Sequence, residues 1–182
     1  MATNKKIPSL FLPRWLIVAM AIVVVSANVL VQYPINNWLT WGAATYPISF
    51  LITDIANRFH GPAIARRVLY VGFVIAVLLS IYFATARIAV ASGTAFLVAQ
   101  MLDVQVFNRL RDRAWWKAPL VSSLVASAVD TALFFSIAFY GTALPWITLA
   151  VGDFLVKIVL ALLMLIPFSV AYRSYKSAKN RA

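Results

Sequence analysis

Cysteine is absent from this 182-residue chain, all five acids are Asp, and histidine occurs once, at His60. Without cysteine there is no disulfide, no thiol nucleophile and no thiolate-bound metal. A single histidine leaves no metal-ligand set, so no metal and no cofactor is expected. Neither a nucleotide-binding glycine loop nor a nucleophile paired with a base can be found, which argues against an enzyme. Charge is scarce as well: 12% of residues are charged, against 63% hydrophobic and 14% aromatic. A soluble domain of this length needs far more polar surface, and here the apolar runs reach the roughly 20 residues that cross a bilayer as helix. The composition predicts an all-α integral membrane protein.

Six spans are expected, at about 15–32, 43–58, 68–85, 88–108, 119–140 and 146–172, forming a single transmembrane domain over 1–182. Between Arg67 and Arg109 one continuous helix would extend roughly 60 Å across a core of roughly 30 Å. The chain must therefore turn back, near Ala84 to Arg87. Lys5, Lys6, an apolar run and Val25-Ser26-Ala27 also fit a cleavable leader, but the run continues through Val29, Leu30 and Val31, so it reads as a span.

The formal charge of +11 is distributed by topology. Lys5, Lys6 and Arg14 precede the first span, and Arg58, Arg66 and Arg67 fall at the second-to-third connection. Arg109, Arg111, Arg113 and Lys117 fill the fourth-to-fifth, and Arg173, Lys176, Lys179 and Arg181 form the tail. Only Arg87, on the opposite side, and Lys157, inside a span, depart from this side. By the positive-inside rule both termini are cytoplasmic. Trp15, Trp115 and Trp116 at one boundary and Trp38, Trp41 and Trp146 at the other supply an aromatic belt. The expected partner of the positive charge is anionic membrane lipid, with no direct nucleic-acid binding. Arg87 reads as an interfacial anchor, and His60, before Gly61-Pro62, as a loop residue at the headgroups.

Of the acids only Asp112 lies in a connection; Asp54, Asp103, Asp130 and Asp153 lie inside spans with Lys157. A charge near the bilayer centre costs about 2.5–3.5 kcal/mol on insertion scales, so these side chains must turn away from lipid. Asp130 lies about 15 Å below the outer surface and Lys157 about 16 Å, one level. Asp153 and Lys157 are spaced i, i+4, the favourable order for a helical pair. Asp130, Asp153 and Lys157 are therefore expected to meet across the last two helices. They form either a clamp or the wall of a polar hollow that admits a flat heterocycle.

In TYPISFLITDIANRFHG, Asp54 and Arg58 are also i, i+4, and Pro47 predicts a helix that starts late or is broken. Two readings stand for this segment: an ion pair closing the inner end of the helix, or a polar ligand site. In LVAQMLDVQVFNRLR, Gln100, Asp103 and Asn108 suggest a polar stripe descending to the cytoplasm, with Asn28 of the first span beside it. Ser123, Ser127 and Thr131, with Ala89 and Gly93, read first as small residues for close helix packing.

Several long, ordered stretches resemble the queuosine precursor transporter family, also called the vitamin uptake transporter family. They are SANVLVQ, TYPISFLITDIANRFHG with ARR after it, RIAVASGTAFLVAQMLDVQVFNRLR with WWKAP, SAVDTALFFSIAFYG and VGDFLVKIVL. The short third-to-fourth connection departs from the family pattern. The resemblance implies multi-pass insertion in a bacterial inner membrane and a fold akin to the substrate-binding subunits of energy-coupling-factor transporters. It also implies uptake of 7-cyano-7-deazaguanine and 7-aminomethyl-7-deazaguanine for tRNA modification, or alternatively a binding subunit that works with an ATPase partner. The expected substrate-binding residues are Asp130, Asp153, Lys157, Asp54, Gln100 and Asn28, with Asp103 and Asn108 nearer the exit and Arg58 beside them. A carboxylate accepts the paired N–H donors of a guanine-like edge, and Asn, Gln, Lys or Arg serves its carbonyl. A homodimer is the default assembly.

Overall fold

A computed structural model describes residues 14–83 and 85–181; Lys5, Lys6 and Ala84 lie outside the described residues. Among the described residues the regular structure is helical: α1 (Arg14–Leu30), α2 (Gly42–Thr45), α3 (Ile48–His60), α4 (Pro62–Phe83), α5 (Ala86–Leu110), α6 (Lys117–Phe139) and α7 (Trp146–Arg181). The one β-type pairing is an isolated bridge between Pro34 and Thr40. Three segments are long and apolar enough to cross a membrane: α5, α6 and Trp146–Ser177 of α7. The apolar α1 is shorter, and it runs unbroken through Val25-Ser26-Ala27.

The second expected span is two helices. Pro47 has no N–H to give and its ring opposes the carbonyl four residues back, so α2 ends and α3 restarts around Tyr46-Pro47. The following connection is shorter than the charge pattern suggested. Gly61 alone, at φ 86°, joins α3 to α4, and Pro62 opens the new helix with its fixed φ. Arg66 and Arg67 therefore sit on the first turns of α4 instead of in a loop. At the other end of α4 the helix stops at Phe83, and Thr85 caps α5 by accepting a 3.4 Å hydrogen bond from the Ile88 amide. The tail is helical too: α7 continues past Pro167 and Tyr172, carrying Arg173 and Lys176 exposed on its last turns.

α5 packs most extensively on α6, α1 on α4, and α7 on α6. Phe50, Phe96, Phe107, Phe135 and Phe168 are fully enclosed at these contacts. The exterior carries large apolar side chains, including Trp15, Val18 and Ile22 on α1 and Leu155, Val159, Leu162 and Ile166 on α7. Asp54, Asp103, Asp130, Asp153 and Lys157 are all buried. This is the reverse of a water-soluble partition and suits a hydrocarbon surround.

Arg87, expected as an interfacial anchor, is exposed and also caps a helix. Its guanidinium donates to the carbonyls of Ile137 (2.9 Å) and Tyr140 (2.5 Å), satisfying the otherwise unpaired C-terminal end of α6.

Candidate functional site

The α6 face bearing Ser123, Ser127, Asp130, Thr131 and Phe134 turns inward because these positions recur at three and four residues along one helix stripe. On α7, Asp153 and Lys157 stand one turn apart and face it. Lys157 Nζ lies 2.8 Å from Asp130 Oδ2 and 2.5 Å from Asp153 Oδ2, and donates a third bond of 3.0 Å to Thr131 Oγ1. The Thr131 hydroxyl in turn donates a 2.8 Å hydrogen bond to Asp153. The second Asp130 oxygen accepts a 2.8 Å bond from the Tyr46 hydroxyl, whose ring also lies 5.1 Å from the ammonium. All three ammonium donors are used, and the acids outnumber the base by one.

Tyr46 comes from the break between α2 and α3, so the proline that interrupts the helix also sets an aromatic hydroxyl on the buried acid. Sequence reasoning passed over this residue; its signal was the aromatic side chain immediately before Pro47. Thr131, read first as a packing residue, is instead a hydrogen-bonded member of the cluster, and Ser123 and Ser127 line a hollow.

Two hollows flank the cluster. One, of about 30 Å³, is lined by Asn28, Tyr46, Ser92, Asp130, Asp153 and Lys157 among others. The second, of about 10 Å³, is lined by Pro47, Asp54, Ser123, Ser127, Lys157 and Phe168 among others. Lys157 borders both. Such volumes hold about one or two waters, so this closed conformation has no room for a bicyclic ring. The expected side chains do border a hollow, but the spaces they surround are smaller than a flat heterocycle. Asn28 accepts a 2.5 Å bond from Ser92 on the wall of the first hollow.

Val31 and Gly42 line that hollow from the two ends of the 32–41 connection, which folds tightly on itself. The Asn36 side chain accepts from the amides of Trp38 and Leu39, and Thr148 of α7 donates to the Asn37 carbonyl at 2.9 Å. A Cβ on Gly152 would fall 2.0 Å from the Trp38 carbonyl oxygen, so this connection seats on α7 only because residue 152 has no side chain.

The remaining expected residues lie elsewhere. Gln100 lines neither hollow: its amide donates to Ser49 (2.9 Å) and accepts from Thr53 (2.5 Å), clasping α3 to α5. Asp103 is enclosed beside Asp54, away from both hollows. Asn108 is exposed, because five residues beyond Asp103 carries it roughly 140° around the helix and off the buried stripe. Asp54 accepts long bonds of 3.4 Å from Ser122 and Ser123, and makes no ion pair with Arg58. Arg58 donates instead to the Arg111 carbonyl at 2.8 Å and lies 4.6 Å over the Tyr172 ring, while Arg111 donates to Asn57. The arginines thus lock the ends of α3, α5 and α7 together and leave the acid alone.

The sequence pattern of the family described as "Putative vitamin uptake transporter" matches residues 40–172, the stretch holding every charged side chain of the cluster. The chain belongs to this vitamin uptake transporter family. It is 35% identical to the queuosine precursor transporter of Escherichia coli (strain K12), over 84% of this chain and 82% of that one. It is 36% identical to the probable queuosine precursor transporter of Haemophilus influenzae, over 70% of this chain and 66% of that one. With the Bacillus subtilis (strain 168) probable queuosine precursor transporter the figures are 30%, 78% and 73%. No solved structure matches the chain. Membership of a family of transporters, with the long apolar helices, makes this a membrane protein.

Proposed function

We propose that this chain takes up queuosine precursors, 7-cyano-7-deazaguanine and 7-aminomethyl-7-deazaguanine, across the bacterial inner membrane. It does so as one six-span domain with both termini in the cytoplasm, of the kind seen in energy-coupling-factor binding subunits. The observation that carries the reading is the cluster of Lys157 between Asp130 and Asp153 beside a small hollow, in a chain whose relatives are named queuosine precursor transporters. Asp130, Asp153, Lys157 and Asn28 are the proposed substrate contacts, with Tyr46 and Ser92 added from the geometry; Asp54 lies apart, on the second hollow.

A deazaguanine edge offers adjacent N–H donors to a carboxylate, and its carbonyl accepts from an ammonium or amide. As the bundle opens, the substrate takes over bonds that Asp130 and Lys157 now make to each other. The surplus acid suits the aminomethyl compound, which is a cation. This exchange keeps each buried charge partnered throughout, avoiding the penalty of a bare ion.

The test is the queuosine content of tRNA in cells that cannot make the precursors, supplied with each compound, with and without this protein. Restoration only with the protein is expected; equal queuosine in both strains would overturn the reading. Uptake by the purified chain alone in liposomes would dispense with an ATPase partner.

A further inference from the structure

A second pair of acids lies apart from the lysine cluster, toward the end of the bundle that holds Arg58 and Arg111. Asp54 of α3 and Asp103 of α5 are 3% and 0% exposed, and the Thr53–Gln100 and Asn57–Val104 hydrogen bonds clasp the two helices on either side of them, setting the two carboxyl groups side by side. Asp54 receives only the two 3.4 Å serine bonds. Neither oxygen of Asp103 accepts any hydrogen bond, although both are enclosed.

The cations that face this region hold other partners, although Arg58 Nε and Arg111 Nε are enclosed without a hydrogen bond. Lys157, which shares the second hollow with Asp54, is held by Asp130 and Asp153. Arg58, one turn along α3, is bonded to the Arg111 carbonyl and stacked on Tyr172, and Arg111 is bonded to Asn57. Among the described residues these acids form no salt bridge, and no group of three or more acid or histidine side chains gathers to hold a metal ion.

Two ionised carboxylates in contact, enclosed and without a cation, repel each other and lack the donors a buried anion needs. One proton placed between them resolves both defects. The O–H of one acid donates to the other, the orphaned Asp103 gains a partner, and a single charge remains for the two serine hydroxyls to solvate. A hydrated cation needs more oxygen ligands and more space than the neighbouring hollow offers.

We propose that Asp54 and Asp103 form a proton-binding site that couples transport to the proton gradient, separate from the substrate contacts on α6 and α7. The proton enters and leaves through the hollow lined by Asp54, Ser123, Ser127 and Lys157. While the pair lacks its proton, its second negative charge draws the Lys157 ammonium toward Asp54 and away from the substrate carbonyl; protonation returns the ammonium to Asp130 and Asp153, where it serves the substrate. Proton binding and substrate binding are then linked through one side chain that borders both hollows. The coupling half of this proposal rests on the transport reading above; the proton site itself does not.

Infrared difference spectroscopy of the full-length protein in lipid at neutral pH tests the site without any substrate. A protonated-carboxyl C=O band that shifts in heavy water is expected, absent in D54N and in D103N and retained in D130N. Because either Asn variant could fail to fold, the S122A/S123A double variant serves as a second probe and should move the band by removing its solvating hydroxyls. Absence of the band in the native chain, or its persistence unchanged in D54N, D103N and the serine double variant, overturns the site. For coupling, an inside-acceptor gradient of about one pH unit, alkaline inside, should raise accumulation of neutral 7-cyano-7-deazaguanine in proteoliposomes roughly tenfold at one proton per substrate. That response should vanish in D103N. Accumulation that follows a sodium gradient instead overturns the coupling. A band lost in both Asn variants with no deazaguanine uptake at all would reject the substrate assignment and leave the proton site standing.

Discussion

Lys157 lies 2.8 Å from one oxygen of Asp130 while the other oxygen of the same carboxylate, 2.8 Å from the Tyr46 hydroxyl, ties the pair to the broken helix between α2 and α3. The buried ion pair is thus anchored by three separate elements, and each anchor can be removed singly.

Asp130→Asn keeps the volume and leaves Lys157 with Asp153 and Thr131, so the protein should insert and fold while uptake of both precursors is lost. Lys157→Met is expected to be worse for stability, because it strands two acids at once; removing one partner from a buried pair costs about 3–5 kcal/mol. Thermal unfolding in detergent should rank native above Asp130→Asn above Lys157→Met. A Met variant as stable as the native chain would contradict the buried cluster.

Tyr46→Phe deletes a single hydrogen bond to a charged acceptor, worth about 1.5–3 kcal/mol. The expected result is normal membrane abundance with a roughly tenfold or larger rise in the half-saturating precursor concentration. Initial-rate uptake measured across a concentration series checks it.

Gly152→Ala places a methyl group 2.0 Å from the Trp38 carbonyl oxygen, far inside contact distance. The 32–41 connection must lift from α7, at a cost of about 1–3 kcal/mol for an overpacked contact. Since the chain has no native cysteine, a Ser92→Cys label on the wall of the first hollow reports this directly. Its reaction with a water-soluble thiol reagent should be faster with alanine at 152 than with glycine.

Gln100→Leu removes both halves of the clasp to Ser49 and Thr53. Thr53 keeps its bond to the Ser49 carbonyl, so the loss should be about 1–3 kcal/mol, set mainly by the serine hydroxyl. A lowered unfolding temperature is the readout, and no change would mean that the clasp adds nothing to the other α3–α5 contacts, the Asn57–Val104 hydrogen bond among them.

Much of the candidate site could be read before any coordinates. Counting residues along helices of fixed rise puts Asp130 and Lys157 at one depth, and the i, i+4 spacing sets Asp153 one turn from Lys157 with little freedom in how the pair faces. The fate of Asp54 and Arg58 was not legible in the same way. The same spacing permits an ion pair, yet Arg58 finds a carbonyl and an aromatic face on α5 and α7, partners distant in sequence. Asn108 shows a related limit: three polar residues within nine positions look like a stripe until the helical phase separates the last from the first two.

Amino-acid order alone settled the solvent, the helical class and the need to hide five ionisable side chains, because a hydrocarbon surround penalises exposed charge wherever the chain happens to fold. Which of those side chains meet depended on helix rotation and on contacts between remote elements. Packing gave Lys157 to Asp130 and Asp153 and left Asp54 facing Asp103, since a side chain's partners are chosen by the neighbours that tertiary contact brings within a few ångströms and by no local pattern.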